Sequence, residues 1–230
     1  MKFIILKLKR IAGIAAKAVL FFIGFTLIWV LVYRFINPPE TPLMIIRYFE
    51  KKPAKNSVFI KWVDYERISR HLPLAVMAAE DQRFLEHSGF DFGAIEKALK
   101  NNDSKRRKNI KGASTISQQT AKNVFLWPGR SWLRKGLEVY FTALIELCWG
   151  KERIMEVYLN VIETGKGIYG AEATSKTFFH KSAIKMSKEE AALVAAVLPN
   201  PRKFSLAHPS PYVIKRKLWI MRQMQNISPL

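Results

Sequence analysis

The sequence is poor in residues that build covalent or metal-held frameworks. It contains one cysteine, Cys148, in 230 residues, so neither an intramolecular disulfide nor a thiolate metal cluster can form. The four histidines show no paired metal-ligand spacing, and an isolated histidine usually has a structural role. We therefore expect no metal ligands and no zinc site, and cysteine usage leaves the cellular compartment open.

Acidic residues are also scarce. Eighteen Asp and Glu stand against 38 Lys and Arg, which gives a formal net charge of +20. Such an excess indicates an anionic partner without identifying it. By net charge alone, the partner could be nucleic acid, an anionic membrane or a pyrophosphate-bearing substrate.

One long apolar segment stands near the amino terminus. Residues 18–33 carry no charge, and the apolar stretch extends over residues 11–36, enough to span about 30 Å of hydrocarbon. A cleaved signal peptide is the alternative, since residues 1–10 form a basic leader. No small-x-small cleavage site follows, however, and Trp29, Tyr33 and Arg34 are interfacial anchor types. We predict an uncleaved transmembrane helix, with a cytoplasmic leader and the remaining chain outside the inner membrane.

Beyond the membrane segment, the sequence predicts one mainly α-helical domain. Residues 37–42 contain three prolines and indicate a linker before a domain at 43–230. Strand signals are few, with one candidate strand at 57–63, and there is no internal repeat. Periodicity and capping signals favour a helix at Pro73 that contains Glu80, and helices at 114–124, 132–149, 151–160, 191–198 and after Ser210. Residues 100–112 are basic and aperiodic, which predicts a mobile loop.

The segment from Glu80 to Gly89 (EDQRFLEHSG) concentrates ionisable groups beside aromatic residues. If the segment is helical, Glu80 and Phe84 share one face at i and i+4. An aromatic ring beside a carboxyl group raises its pKa, as a general base near neutral pH requires. The alternative is a solvated acidic surface.

Two later segments carry polar and cationic side chains. On a helix, Ser114, Gln118 and Lys122 would line one side, where they could hold sugar hydroxyls and a phosphate. The alternative is a capped polar surface helix. Farther on, Arg130 and the Arg134–Glu138 stretch place a carboxylate among cations, which suits a pyrophosphate leaving group or, alternatively, an ordinary surface ion pair.

A glycine pattern at 165–170 (GKGIYG) matches a dinucleotide-binding fingerprint. It follows a predicted helix rather than a strand, so the required context is missing. We interpret it as a turn between helices.

Five segments, taken in order, resemble the glycosyltransferase domain of the peptidoglycan polymerases. This domain occurs alone in monofunctional biosynthetic transglycosylases and fused to transpeptidases in class A penicillin-binding proteins. The segments are EDQRFLEHSG at 80–89, GASTISQQ at 112–119, RKGLE at 134–138, KERIMEVYLN at 151–160 and AALVAAVLPNP at 191–201. Since no transpeptidase domain follows, the chain resembles the monofunctional form. The resemblance implies a mainly α, lysozyme-like, two-lobed fold.

The resemblance also implies functional residues. Glu80 corresponds to the catalytic base, and Glu138 to a second essential carboxylate. Expected substrate-binding residues are Asp81, Phe84, Ser114, Thr115, Gln118, Gln119, Lys122, Asn123, Arg130 and Lys135. The chain departs from the family pattern at Leu137, where the family often has a polar or basic residue, and at residues 162–164. These departures concern individual contacts with the glycan donor and not the catalytic glutamates.

The implied reaction is polymerisation of lipid II into β-1,4-linked glycan by an inverting displacement. Lipid II, the growing lipid-linked glycan and the membrane are the expected partners, with cell-wall synthesis or division proteins as candidates and no nucleic acid. The resemblance implies no definite cofactor, and a divalent cation such as Mg²⁺ or Mn²⁺ could assist at the pyrophosphate. Two alternatives stand beside this reading: a lysozyme-like lytic transglycosylase or muramidase that cuts existing glycan, and a basic membrane-tethered scaffold or nucleic-acid binder.

Overall fold

The computed structural model of the chain describes residues 2–50, 61–103, 114–129 and 131–230. It divides the chain into two compact units, Met1–Asn37 and Pro38–Leu230. The described residues form ten α-helices and one two-stranded sheet. The helices are α1 Lys2–Phe35, α2 Pro42–Glu50, α3 His71–Glu80, α4 Phe92–Asp103, α5 Ile116–Phe125, α6 Trp132–Cys148, α7 Lys151–Val161, α8 Ala171–Phe179, α9 Lys188–Val197 and α10 Pro211–Gln223, and the strands are β1 Glu163–Gly165 and β2 Ile168–Tyr169.

The first unit is built on the apolar helix α1. Its segment Lys9–Phe35 spans 27 residues and is long and apolar enough to cross a membrane. At 1.5 Å per residue such a segment is about 40 Å long, which exceeds the usual hydrocarbon thickness. One helix of this kind is consistent with a single-pass anchor.

The second unit is mainly helical, as predicted, and its helices form two packed groups. Helix α9 packs against α3 and α10, while α5 packs against α6 and α7. In the second group, the rings of Phe125 and Phe141 stack with centroids 4.6 Å apart. The two groups meet where α3 ends, because the turn after Glu80 makes its hydrogen bonds with the start of α5.

Local sequence signals explain several helix ends. Ser187 and Glu190 form the predicted capping box at the start of α9, and the Ser210 hydroxyl accepts a hydrogen bond from the Val213 amide at the start of α10. Each cap satisfies a backbone N–H that has no partner within the helix. Helices α6 and α7 lie within one residue of their predicted bounds.

Two predicted segments, a loop and a strand, differ from the structure. Residues 100–103 belong to α4 rather than to a loop, and the remainder of the predicted 100–112 loop lies outside the described residues. The described part of the predicted 57–63 strand has no regular structure; instead, the Asn160 side chain pairs with both the N–H and the C=O of Val63, at 3.0 and 2.9 Å. A side-chain amide thus takes the place of a neighbouring strand.

The glycine pattern at 165–170 forms a hairpin rather than a simple turn. Strands β1 and β2 pair antiparallel between α7 and α8. Gly170 has φ +80°, and a Cβ at this position would lie 2.4 Å from the Asn160 carbonyl oxygen. Only glycine fits this close approach without displacing α7.

Candidate active site

Glu80 is the last residue of α3, and its carboxylate belongs to a chain of hydrogen bonds. The Gln119 amide donates from Nε2 to Glu80 Oε2 at 2.8 Å. The Tyr158 hydroxyl in turn donates to Gln119 Oε1 at 3.3 Å. Helices α3, α5 and α7 therefore jointly position one carboxylate.

The pKa of Glu80 is raised above its ordinary value. Burial is the main cause, since it disfavours the charged carboxylate, and the neighbouring Asp81 charge acts in the same direction. The hydrogen bond from Gln119 and the charges of Arg216 and Lys122 oppose the rise. A carboxylate with a raised pKa is a stronger proton acceptor than an exposed one, which suits general-base chemistry.

Arg216 of α10 approaches the end of α3 from within the same helix group. Its Nη2 donates to the Ala79 carbonyl oxygen at 2.9 Å, in the last turn of α3. Its guanidinium lies 4.3 Å from the centroid of the Trp219 ring, which fixes the side chain on one face. Arg216 therefore satisfies a helix-terminal carbonyl and places a positive charge near the carboxylate.

Asp81, predicted to bind substrate, has both carboxylate oxygens engaged within the protein. Oδ1 lies 2.9 Å from His87 Nε2, and Oδ2 accepts the Ile116 backbone N–H at 3.0 Å. Burial raises the pKa of Asp81, whereas the bonds from His87 and Ile116 lower it. The residue thus ties the turn after α3 to the amino terminus of α5.

Phe84 does not share a helical face with Glu80, because α3 ends at Glu80 and residues 82–86 form turns. The Phe84 ring is fully buried, with the Lys151 ammonium 4.5 Å from its centroid. Lys151 also donates to the His87 carbonyl oxygen at 2.6 Å. The predicted helical relation between Glu80 and Phe84 is therefore wrong, and Phe84 anchors the turn after α3.

The start of α5 also differs from the predicted row of side chains. Ser114 precedes the helix, and Thr115 is its N-cap. The Thr115 hydroxyl accepts the Gln118 N–H, and the Gln118 side chain accepts the Thr115 N–H at 3.0 Å. This capping box occupies the side-chain oxygen of Gln118. The glutamine that hydrogen-bonds to Glu80 is Gln119.

A cluster of cations surrounds Glu138 on α6. Its carboxylate lies 3.0 Å from Arg134 Nη1 and 2.5 Å from Lys135 Nζ. Glu138 is only 4% exposed, so the ordinary surface ion pair considered from the sequence is wrong. Arg134 Nε is also buried and has no hydrogen-bond partner among the described residues. A buried guanidinium N–H without an acceptor is destabilising.

Lys122 connects the two carboxylates electrostatically. Burial lowers the pKa of its ammonium, while the charges of Glu138 and Glu80 raise it. Arg134 and Lys135 lower it further, since like charges repel. The ammonium therefore lies in the field of both glutamates.

A pocket of about 260 Å³ opens beside Glu80. Its lining is strongly polar and includes cations, a hydroxyl pair and several carboxylates. The residues are Glu80, Asp81, Gln82, Arg83, Asp91, Ala94, Lys97, Ser114 and Thr115. Ser114 and Thr115 therefore border the same space as the carboxylate, whereas Gln118 does not.

Some predicted residues play no part in these contacts. Asn123 is half-buried on α5 and is not among the described residues that hydrogen-bond to Glu80 or Glu138. Arg130 lies outside the described residues. Among the described residues there is no group of three His, Cys, Asp or Glu side chains placed to hold a metal ion. Both Glu138 oxygens are occupied by cations, so the carboxylate does not fit a metal-ligand role.

The chain is similar to known proteins of one family. The model of the transglycosylase family matches residues 49–225. A biosynthetic peptidoglycan transglycosylase of Bacteroides thetaiotaomicron is 55% identical over 226 residues, covering 97% of this chain and 90% of that protein. A biosynthetic peptidoglycan transglycosylase of Bdellovibrio bacteriovorus is 55% identical, covering 93% of this chain and 85% of that protein. One of Yersinia pseudotuberculosis is 52% identical, covering 89% of this chain and 87% of that protein. The chain belongs to the transglycosylase family.

Proposed function

We propose that Glu80 is the general base of a peptidoglycan glycosyltransferase that polymerises lipid II into glycan strands for the cell wall. The observation that carries the assignment is the position of Glu80. Its carboxylate lines a polar pocket, has a raised pKa and is held by a hydrogen-bond chain from two other helices. The relatives that share most of this chain are biosynthetic peptidoglycan transglycosylases.

The reaction is a single displacement. Glu80 takes the proton from the 4-hydroxyl of the acceptor disaccharide on lipid II, and the hydroxyl oxygen forms a bond to C1 of the lipid-linked donor. The C1–oxygen bond to the lipid pyrophosphate breaks, and its electron pair leaves with the pyrophosphate. Because attack and departure occur on opposite faces, C1 inverts from α to β. The saccharide part of the substrate lies in the pocket beside Glu80.

The cations near Glu138 stabilise the departing pyrophosphate. Lys122 lies in the field of both glutamates, and it is close enough to Arg134 and Lys135 for their charges to lower its pKa. Glu138 holds Arg134 and Lys135 in place, so we assign it a positioning role. Cations fixed before the charge develops lower the barrier without a reorganisation cost. Arg130 belongs to the same proposal by its place in the sequence.

Helix α1 anchors the enzyme where its substrate resides. It is long and apolar enough to span a bilayer, and lipid II keeps its tail in that bilayer. The basic residues before the apolar segment favour a cytoplasmic amino terminus, with the catalytic domain on the outer side. Labelling single introduced cysteines with a membrane-impermeant reagent in intact cells tests this orientation, in a background in which Cys148 has been replaced by serine.

The test of function is polymerisation of labelled lipid II by the purified full chain in detergent. We expect polymer that a muramidase digests, and a loss of about 10²- to 10⁴-fold in rate for Glu80→Gln. Glu86→Gln is the matched control, since Glu86 is six residues away and its side chain is 62% exposed. Untouched lipid II together with cleavage of preformed glycan would instead establish a lytic enzyme.

A further inference from the structure

Tyr158 has a defined relation to Glu80 although the two side chains do not touch. It lies on α7 and is completely buried. Its hydroxyl reaches Gln119 Oε1 at 3.3 Å, and the same amide reaches Glu80 Oε2 from Nε2 at 2.8 Å. Gln119 is therefore a bridge between a phenol and the proposed base.

The chemistry of the three groups fixes the direction of this chain. An ionised carboxylate only accepts hydrogen bonds, so the amide must present its NH₂ side to Glu80. The amide oxygen then faces Tyr158, and the phenol must donate. Burial raises the pKa of Tyr158 well above its ordinary value, with the charges of Glu80 and Asp81 adding to the rise. The phenol thus keeps its proton at every working pH.

Glu80 Oε2 is occupied by this chain, whereas Oε1 accepts no hydrogen bond from any described residue. We propose that Tyr158 is a positioning residue that holds the Gln119 amide on Oε2 and thereby leaves Oε1 as the oxygen that takes the acceptor proton. This inference rests on the proposed function of Glu80 as general base. In the step, the 4-hydroxyl proton moves to Oε1 as its oxygen bonds to C1, and Gln119 continues to donate to Oε2.

Other charged groups also act on Glu80 and must be held constant. They are Asp81 beside it in sequence, Lys122 on α5 and Arg216 on α10. Asp81 raises the pKa of Glu80, and the two cations lower it. None of these groups forms part of the Tyr158–Gln119 chain, so variants of the chain leave them in place.

Loss of the Tyr158 hydroxyl would free the Gln119 amide to turn. A turned amide presents its oxygen to Glu80, and only the protonated carboxylic acid can donate to it. The turned state therefore favours protonated Glu80 and raises its pKa. At neutral pH less of the enzyme then carries the base form.

The experiment is a double-mutant cycle with Tyr158→Phe, Gln119→Met and the double variant, followed by lipid II polymerisation across pH. For Tyr158→Phe we expect kcat to fall roughly three- to tenfold at neutral pH, with KM unchanged. The acid limb of the kcat profile should move to higher pH. In the Gln119→Met background, the second change should add nothing, because its effect passes through the amide.

Tyr169→Phe is the control, since Tyr169 is also buried but lies on β2 outside the chain of bonds. It should leave the acid limb in place. Melting temperatures of all variants separate a loss of folded enzyme from a change in pH profile. The inference about Tyr158 is overturned if the acid limb does not move in Tyr158→Phe, or if the two effects add in the double variant. Neither result would affect the proposed function, provided that wild-type polymerisation depends on Glu80. Absence of wild-type polymerisation would overturn the proposed function itself.

Discussion

Replacement of Glu138 by glutamine should destabilise the second unit strongly. The carboxylate is nearly inaccessible and binds two cations from its own helix, Arg134 at 3.0 Å and Lys135 at 2.5 Å. Glutamine keeps the shape of the side chain but removes its charge, and one of its two terminal atoms becomes a donor. One cation then faces an NH₂ group, and the other retains only a neutral acceptor.

The size of the effect follows from the burial of the partners. Breaking a fully buried ion pair costs about 3–5 kcal/mol. The Arg134 side chain is 12% exposed but that of Lys135 is 43% exposed, so water screens part of the second interaction. We expect a loss of roughly 2–4 kcal/mol, which corresponds to a fall in Tm of about 5–15 °C for a unit of this size.

Thermal unfolding followed by tryptophan fluorescence in detergent measures this loss. Glu96→Gln is a matched control, because Glu96 forms an i,i+4 pair with Lys100 at 2.6 Å whose side chains are 66% and 74% exposed. Its loss should cost no more than about 0.5 kcal/mol. Equal melting temperatures for the Glu138 variant and the control would refute the argument that burial makes this pair costly to break. If the Glu138 variant polymerises more slowly at a temperature below the melting temperatures of both variants, that loss reports on catalysis and not on unfolding.

Three further changes test other parts of the site. Arg216→Gln removes a positive charge that lowers the pKa of Glu80, so the pKa of Glu80 should rise. The acid limb of the kcat profile should then move to higher pH, and activity should recover at alkaline pH. Thr115→Ala removes the N-cap of α5 and should cost about 1–2 kcal/mol, read as a fall in Tm. Gly170→Ala places a Cβ 2.4 Å from the Asn160 carbonyl oxygen at φ +80° and should cost about 2 kcal/mol or more, measured by the same unfolding assay.

Two substitutions serve as controls for that set. Arg222→Gln removes a charge from the exposed last turn of α10 and should leave the acid limb unmoved. Gly136→Ala lies inside α6, where an added Cβ meets nothing within 4 Å. It should stabilise the protein by about 0.5–1 kcal/mol, because alanine is the better helix former. An acid limb moved equally by both arginine variants, or equal losses at both glycines, would contradict the reasoning.

Local patterns in the sequence were sufficient to predict most helices. Amphipathic spacing located α6 and α7, and the Ser187–Glu190 capping box located α9. These signals work because each depends on residues within about one helical turn. The same method failed at the end of α3, where it extended a helical relation to Phe84 beyond Glu80. Buried contacts with Lys151, far away in sequence, hold Phe84 instead.

The composition of the site shows where sequence reasoning stops. The pattern singled out Gln118 by its helical spacing from Ser114, but the Thr115 cap turns Gln118 back towards the helix start. The neighbouring Gln119 faces Glu80 because of how α5 packs on α3 and α7, which is a non-local property. Tyr158 and Arg216 escaped prediction for the same reason, since they reach the site from 78 and 136 positions along the chain from Glu80. For Arg134 the sequence left a surface ion pair and a pyrophosphate site as alternatives, because a pattern of charges carries no measure of burial.

The position of Glu80 at the end of α3 explains why its surroundings contain cations on two sides. The carboxyl terminus of a helix carries partial negative charge, which disfavours a carboxylate there, and burial disfavours it again. Unopposed, both effects would keep the group protonated and useless as a base. Arg216 binds the last turn of the helix through the Ala79 carbonyl, and Lys122 contributes charge from α5. The pKa of the base is therefore set by opposing influences: burial raises it, and the Gln119 hydrogen bond and the two cations lower it. It follows that loss of Arg216 should resemble loss of the base at low pH and spare activity at high pH, whereas loss of Lys122 should lower activity at every pH, because we also assign Lys122 to the departing pyrophosphate.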